Sequence, residues 1–318
     1  MLKYRQGINW SMAIGTRKSR NHPNTSVGAS EWPRTPSPSK WSKAKNIFKG
    51  FTLVEMLIIA PIVILILGVF ISTIINITGS VLSSGGANTL TGSIKTALSQ
   101  IEQDMKISNG YLATNSVTPL SLGQDYNNSN TLPFKNADAT SGTKLILNSY
   151  ATVGNPLAAS QTYVFLSGQP NACGTPEITR NTRLMFNLVY FVKTVNNVNS
   201  LWRRTIAPSN YTTAGCIGAS TGAPWQKPSC VPGYIPASFP FCQANDIQLV
   251  DGITSFDIKY YTSAGTELTA ASIAANSNSV RQADLLNAGS TNVTITATKS
   301  IAGRNVSKTG TVRAAITN

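Results

Sequence analysis

The 318 residues carry 26 Lys and Arg against 12 Asp and Glu, a formal net charge of +14, with four Cys and one His. The charge is uneven: residues 1–50 hold ten Lys and Arg against one acid, Glu31, a net +9, and residues 51–318 hold sixteen against eleven, a net +5. Most of the excess therefore lies ahead of the body of the chain, which weakens a nucleic-acid reading, and the lone His22 lies there too, which excludes a His-dependent metal or catalytic site from the rest.

Residues 1–44 mix basic residues with Ser, Pro, Asn and Gly and show no sustained apolar period, which predicts a disordered leader. Residues 51–77 follow as an apolar run with a single charge, Glu55. At about 1.5 Å rise per residue, a helix of that length exceeds the roughly 30 Å hydrocarbon core of a bilayer, so the run predicts a membrane span. The Lys and Arg ahead of it keep the amino terminus cytoplasmic and send the carboxyl-terminal body out. Glu55 is costly in such a span and calls for a partner. No Lys, Arg or His follows before Lys95, so the partner must come from outside this helix.

Lys49-Gly50 before Phe51-Thr52-Leu53-Val54-Glu55 resembles the cleavage and methylation site of type IV pilins and type II secretion pseudopilins. The resemblance implies cutting after Gly50 by a prepilin peptidase and N-methylation of the new amino terminus, Phe51. It further implies assembly with other pilin or pseudopilin subunits through an inner-membrane platform and its ATPase. In that setting Glu55 pairs with the amine of a neighbour's Phe51. A leader of residues 1–50 is long beside the family's usual short one, and Met12 offers an alternative start. The resemblance implies the pilin fold, an α+β body in which a long amino-terminal helix packs on an antiparallel sheet.

Along the chain, Pro61 predicts a bend within the membrane helix of residues 51–78, and Gly79, Gly85 and Gly86 predict a hinge near residues 83–87. The exported half of the helix, residues 79–108, carries Leu90, Ile94, Ala97, Leu98, Ile101 and Met105 at steps of three and four. That stripe is expected to pack on the protein's own sheet, with Glu102 and Lys106 paired on the wet side. Residues 109–318 form the globular antiparallel domain. Its first part, to about residue 141, reads as a long loop, in which Asp125, Asn127 and Ser129 lack the Gly and Glu of a calcium loop.

Strands are expected at residues 144–150, 162–166, 183–195 and 200–206, with 185–192 apolar on both faces except at Asn187 and therefore central. Phe256, Ile258 and Tyr260, and later Val293, Ile295 and Ala297, alternate with polar residues, as in strands with one buried face. Ala302-Gly303-Arg304-Asn305 turns a last hairpin that returns through Val312, Ala314 and Ile316. Leu201-Trp202-Arg203-Arg204-Thr205 with the late Tyr260-Tyr261 also resembles the J-type minor pseudopilins.

The loop of residues 210–243 is rich in Cys and Pro, and its prolines exclude a helix or central strand. Cys173, Cys216, Cys230 and Cys242 would form two disulfides after export, with three connectivities open; the prolines between Cys230 and Cys242 favour that pair, and a reducing cell would leave four buried thiols. The aromatics of this loop, Trp225, Tyr234, Phe239 and Phe241, read as a stapled loop or as a surface displayed to a partner. Arg203, Arg204 and Lys193 suit a solvated strand face, or contact with DNA or a surface ligand. Asp246 and Asp251 are an acid pair compatible with chemistry. No phosphate cradle or nucleophile elbow appears, so neither a cofactor nor an enzyme activity is expected.

The expectation is a structural filament subunit, a minor one, in membrane lipid before export to a filament or the cell surface. A membrane-anchored adhesin or binding protein that does not polymerise, or an anchored enzyme, fits the same layout.

Overall fold

The computed structural model describes residues 52–115, 142–155, 162–166, 183–208, 222–232, 242–272 and 276–316. The chain divides into two units, Met1–Pro61 and Ile62–Asn318.

Helix α1, Leu53–Lys106, is 54 residues long. It begins in the first unit and continues uninterrupted past Pro61, which is tolerated where neighbouring groups re-satisfy the lost bond. It also continues past Gly85 and Gly86, so the expected hinge is absent. Gly86 has a different use: a Cβ there would collide with Ile301, so the missing side chain lets helix and strand approach. Gly79 and Gly85 face open space.

In the second unit the stripe on α1 is buried from Leu90 to Met105, as its spacing predicts. Glu102 and Lys106 form a 2.7 Å ion pair on the exposed side. The stripe packs on two antiparallel sheets. Strands β1 (Ser108–Tyr111), β2 (Leu145–Tyr150), β3 (Met185–Val195), β4 (Val198–Ile206) and β7 (Ile247–Asp251) form one in the order β1-β2-β3-β4-β7. Strands β8 (Ile253–Tyr261), β9 (Ser290–Ile301) and β10 (Arg304–Ala315) form the other in the order β10-β9-β8. The single sheet expected from sequence is thus two, joined through Gly252, whose φ of 73° permits the sharp turn between β7 and β8. A two-residue parallel pair, β5 (Ser229–Cys230) with β6 (Ala244–Asn245), lies beside β4.

Strand β3 is central and buried on both faces, as its unbroken apolar run predicts. One face, through Leu188 and Tyr190, joins the main core with Ile94, Ile101, Val293 and Ile295; the other, through Val189 and Phe191, joins Ile146, Trp202 and Ile206. Asn187, the polar exception in that run, is fully buried and donates to Asn148 at 3.3 Å.

Other readings are corrected. Residues 108–111, expected at the end of the helix and the start of a loop, are strand β1. The strand expected at 162–166 is reduced to single bridges, Thr152 with Tyr163 and Phe165 with Arg183. The final turn is tighter than expected: Ala302 and Gly303 alone, with φ of 50° and 75°, close a two-residue hairpin and leave Arg304 and Asn305 in β10. Helices α2 (Thr269–Ser272) and α3 (Asn278–Leu285) occupy a stretch to which the sequence reading assigned no element. The signal for α3 was Ser277, whose hydroxyl caps it by accepting from the Val280 amide.

Candidate functional site

The head of α1 is a reciprocal cap. Thr52 Oγ1 accepts from the Glu55 amide at 3.3 Å, and the Glu55 carboxylate accepts from the Thr52 amide at 3.4 Å. With Thr52 at the cap and Glu55 three residues on, this is a capping box, which satisfies two orphan donors where α1 begins. The sequence reading missed this intramolecular role, although Thr-x-x-Glu ahead of an apolar run carries it. Gly50 and Phe51 lie outside the described residues.

From Met56 to Ile71, α1 exposes an unbroken apolar surface, with Leu57 at 70%, Ile64 at 70% and Phe70 at 61% exposure. The helix is long and apolar enough to cross a membrane, and none of its most apolar window is buried in the protein. Its hydroxyls bond inward, Thr73 to the Val69 carbonyl at 2.9 Å and Ser80 to that of Ile77 at 2.8 Å. An inward bond of this kind lowers the cost of placing a hydroxyl in lipid.

In the second unit, the adjacent Arg203 and Arg204 point to opposite faces of β4. Arg203 turns toward α1 and donates through Nε to Asp104 at 2.6 Å; the Tyr190 hydroxyl donates to the same carboxylate. Burial alone would lower the Arg203 pKa, but the charge of Asp104 and its hydrogen bonds raise it on balance. Burial, and then the Asp104 charge, holds the Tyr190 hydroxyl well above its ordinary range. Arg204 turns the other way, over the Phe191 ring, and meets Asp246 at 2.5 Å with both side chains almost fully buried. Ser229 joins them, donating to Asp246 and accepting from the Thr205 amide.

The solvated-face reading therefore fails for Arg204, which is buried, and Arg203 is only partly open to solvent. Strand alternation says that neighbours face opposite ways, but not that both sides are covered. The legible clue was Asp104, an acid within the apolar spacing of α1. Lys193 lies 5.7 Å from the Trp202 ring centre. Asp246 and Asp251 do not act as a pair: Asp246 is engaged by Arg204, and Asp251 accepts from Ser200 at 3.0 Å and from Gln248.

Cys230 and Cys242 form a disulfide with Cα atoms 5.4 Å apart, the pair that the intervening prolines favoured. It staples the short β5 and β6, where the Asp246 amide donates to the Cys230 carbonyl at 2.7 Å and so sets the carboxylate beside Arg204. Cys173, Cys216, Asp125, Asn127, Ser129, Tyr234, Phe239 and Phe241 lie outside the described residues. Trp225, from the same loop, is 50% exposed. Among the described residues no group of His, Cys, Asp and Glu is placed to hold a metal ion.

No protein-family model matches the chain, and neither the curated proteins nor the solved structures yield a match.

Proposed function

We propose that this chain is a subunit, a minor one, of a type IV pilus, a type II secretion pseudopilus or a competence filament. The observation that carries the proposal is the join of Lys49-Gly50-Phe51 to α1, whose first half is bare and apolar and whose second half is built into the core of an α+β body. A prepilin peptidase at the cytoplasmic face cuts after Gly50, and Phe51 becomes the methylated amino terminus. The helix is held in the cytoplasmic membrane until an assembly platform and its ATPase move it into the filament, where the bare surface meets other subunits in place of lipid. Glu55 then exchanges its local cap for the Phe51 amine of a neighbour, a pairing available only at one stagger of the helices.

The test is the mass of the mature amino terminus in sheared filaments. The expected species begins at methylated Phe51, and Gly50→Asp leaves the precursor uncut in the membrane. Normal cutting of that variant overturns the proposal. A membrane-anchored adhesin or binding protein is the second reading, favoured by the exposed Trp225; a chain found in membranes and never in sheared filaments selects it.

A further inference from the structure

Strand β4 outruns its partner. Its pairing with β7 covers Ser200, Leu201, Trp202 and Arg203, interrupted by an irregularity between Leu201 and Trp202, and stops there. Beyond Arg203 the open edge is taken up by the disulfide-stapled segment, through the bond from the Thr205 amide to Ser229. Because β7 turns away before the staple takes over, a cavity of about 390 Å³ opens between α1, the end of β4 and the loop ahead of Cys230. Its volume lies at the small end of the range typical of ligand sites, about 300 to 1,000 Å³.

The lining has three chemistries. Trp225 offers a half-exposed flat face, and its backbone is fixed by a 2.7 Å bond from its amide to the Thr152 carbonyl. Gln100, Gln103 and Asn245 bring amides, each able to donate and accept. Arg203 and Lys227 bring positive charge. Arg203 commits Nε to Asp104 and Nη1 to Thr205 at 3.3 Å, and a guanidinium has five donors, so others remain for a ligand. Asp104 offsets one of the two cations, which leaves the cavity with a net positive charge.

We infer that this cavity is a binding site for a small acidic saccharide. The ring's C–H face lies on Trp225, paired hydroxyls exchange hydrogen bonds with the amides, and the carboxylate faces Lys227 and Arg203. Vicinal hydroxyls are donors and acceptors at once, which is what an amide lining matches. An acidic peptide would find the same charge, but the amides that flank Trp225, the one aromatic side chain among the described lining residues, match paired hydroxyls better.

The experiment uses the purified full chain in a detergent without a sugar headgroup, so it is independent of whether the chain polymerises. Methyl glucuronide, its neutral counterpart methyl glucoside and a short acetylated Asp-rich peptide are titrated by calorimetry and by saturation-transfer NMR. The expected result is saturable binding of the glucuronide with a Kd on the order of 1 mM, the affinity open to so small a ligand. Trp225→Ala should weaken both sugars at least about tenfold, as loss of an aromatic anchor does. Lys227→Gln should weaken the glucuronide several-fold and leave the glucoside unchanged, with both variants unfolding at the wild-type temperature. Both side chains are at the cavity mouth, so neither change opens the core. Absence of saturable sugar binding, binding indifferent to Trp225→Ala, or binding of the peptide in preference to the sugars would each overturn the proposal.

Discussion

The two halves of α1 share a backbone and differ in what surrounds them. From Leu53 to Leu82 the apolar side chains point all round the helix and stay exposed, whereas from Leu90 to Met105 they keep to one stripe and are buried. A helix apolar on every side suits a solvent that is apolar on every side, and a striped one suits a core on one side and water on the other. On the striped half the packing is close enough that a Cβ on Gly310 of β10 would come within 2.5 Å of Ile94 and 2.9 Å of Leu98.

The sharpest way to break this contrast is at Asp104, the one acid on the buried stripe. Asp104→Ala leaves Arg203 buried without its counter-ion, and removing one partner of such a pair costs about 3 to 5 kcal/mol. Urea unfolding of the body, followed by tryptophan fluorescence in detergent, measures it; a loss below about 1 kcal/mol would mean that the pair behaves as a surface one. The next test compares the same residue type in each half. Ile101→Ala should cost about 2 to 5 kcal/mol in that assay, whereas Ile66→Ala, on the bare half, should leave the body's unfolding unchanged.

A smaller effect appears in alkali. Tyr111 packs edge-to-face on Tyr260 beside the striped half, and burial raises its pKa from 10.0 to about 12. Its phenol ionises more easily in the unfolded chain, so its contribution is complete below pH 10.0 and is lost between there and about pH 12. Stability should fall across that window, and Tyr111→Phe should make the fall shallower by up to one proton; an unchanged slope would place the effect on Tyr190 alone.

Least felt by the fold are changes at Glu55, which under the proposed function act on assembly. Glu55→Gln keeps a residue able to close the capping box and removes the charge, while Glu55→Leu removes both. If the carboxylate sets the stagger between neighbours, both variants are cut normally and both enter sheared filaments poorly. Normal incorporation of Glu55→Gln with a deficit only for Glu55→Leu would assign Glu55 to the cap, and full incorporation of both would favour a plain membrane anchor.

Much of this layout was legible because it rests on local pattern. The apolar run of α1, its later stripe, the alternation in β8 and β9 and the central place of β3 each depend on a period set by the backbone within one segment. The Cys230–Cys242 pair was legible for a similar reason, since prolines restrict a short span. The candidate cavity was not legible, because its Gln100, Arg203 and Trp225 come from a helix, a strand and a loop whose meeting depends on where β7 leaves β4.

By itself, the sequence determined the long helix and the longer strands, which side of each is apolar, and that one acid, Glu55, stands at the head of the apolar run. Only the tertiary structure decided that the sheet is two sheets, that the helix runs on through Gly86 against the Ile301 side chain, and that Arg203 and Arg204 are held by Asp104 and Asp246. The physical reason is that periodicity is a property of neighbours along the chain, whereas burial of a charge depends on which distant carboxylate the fold brings to it.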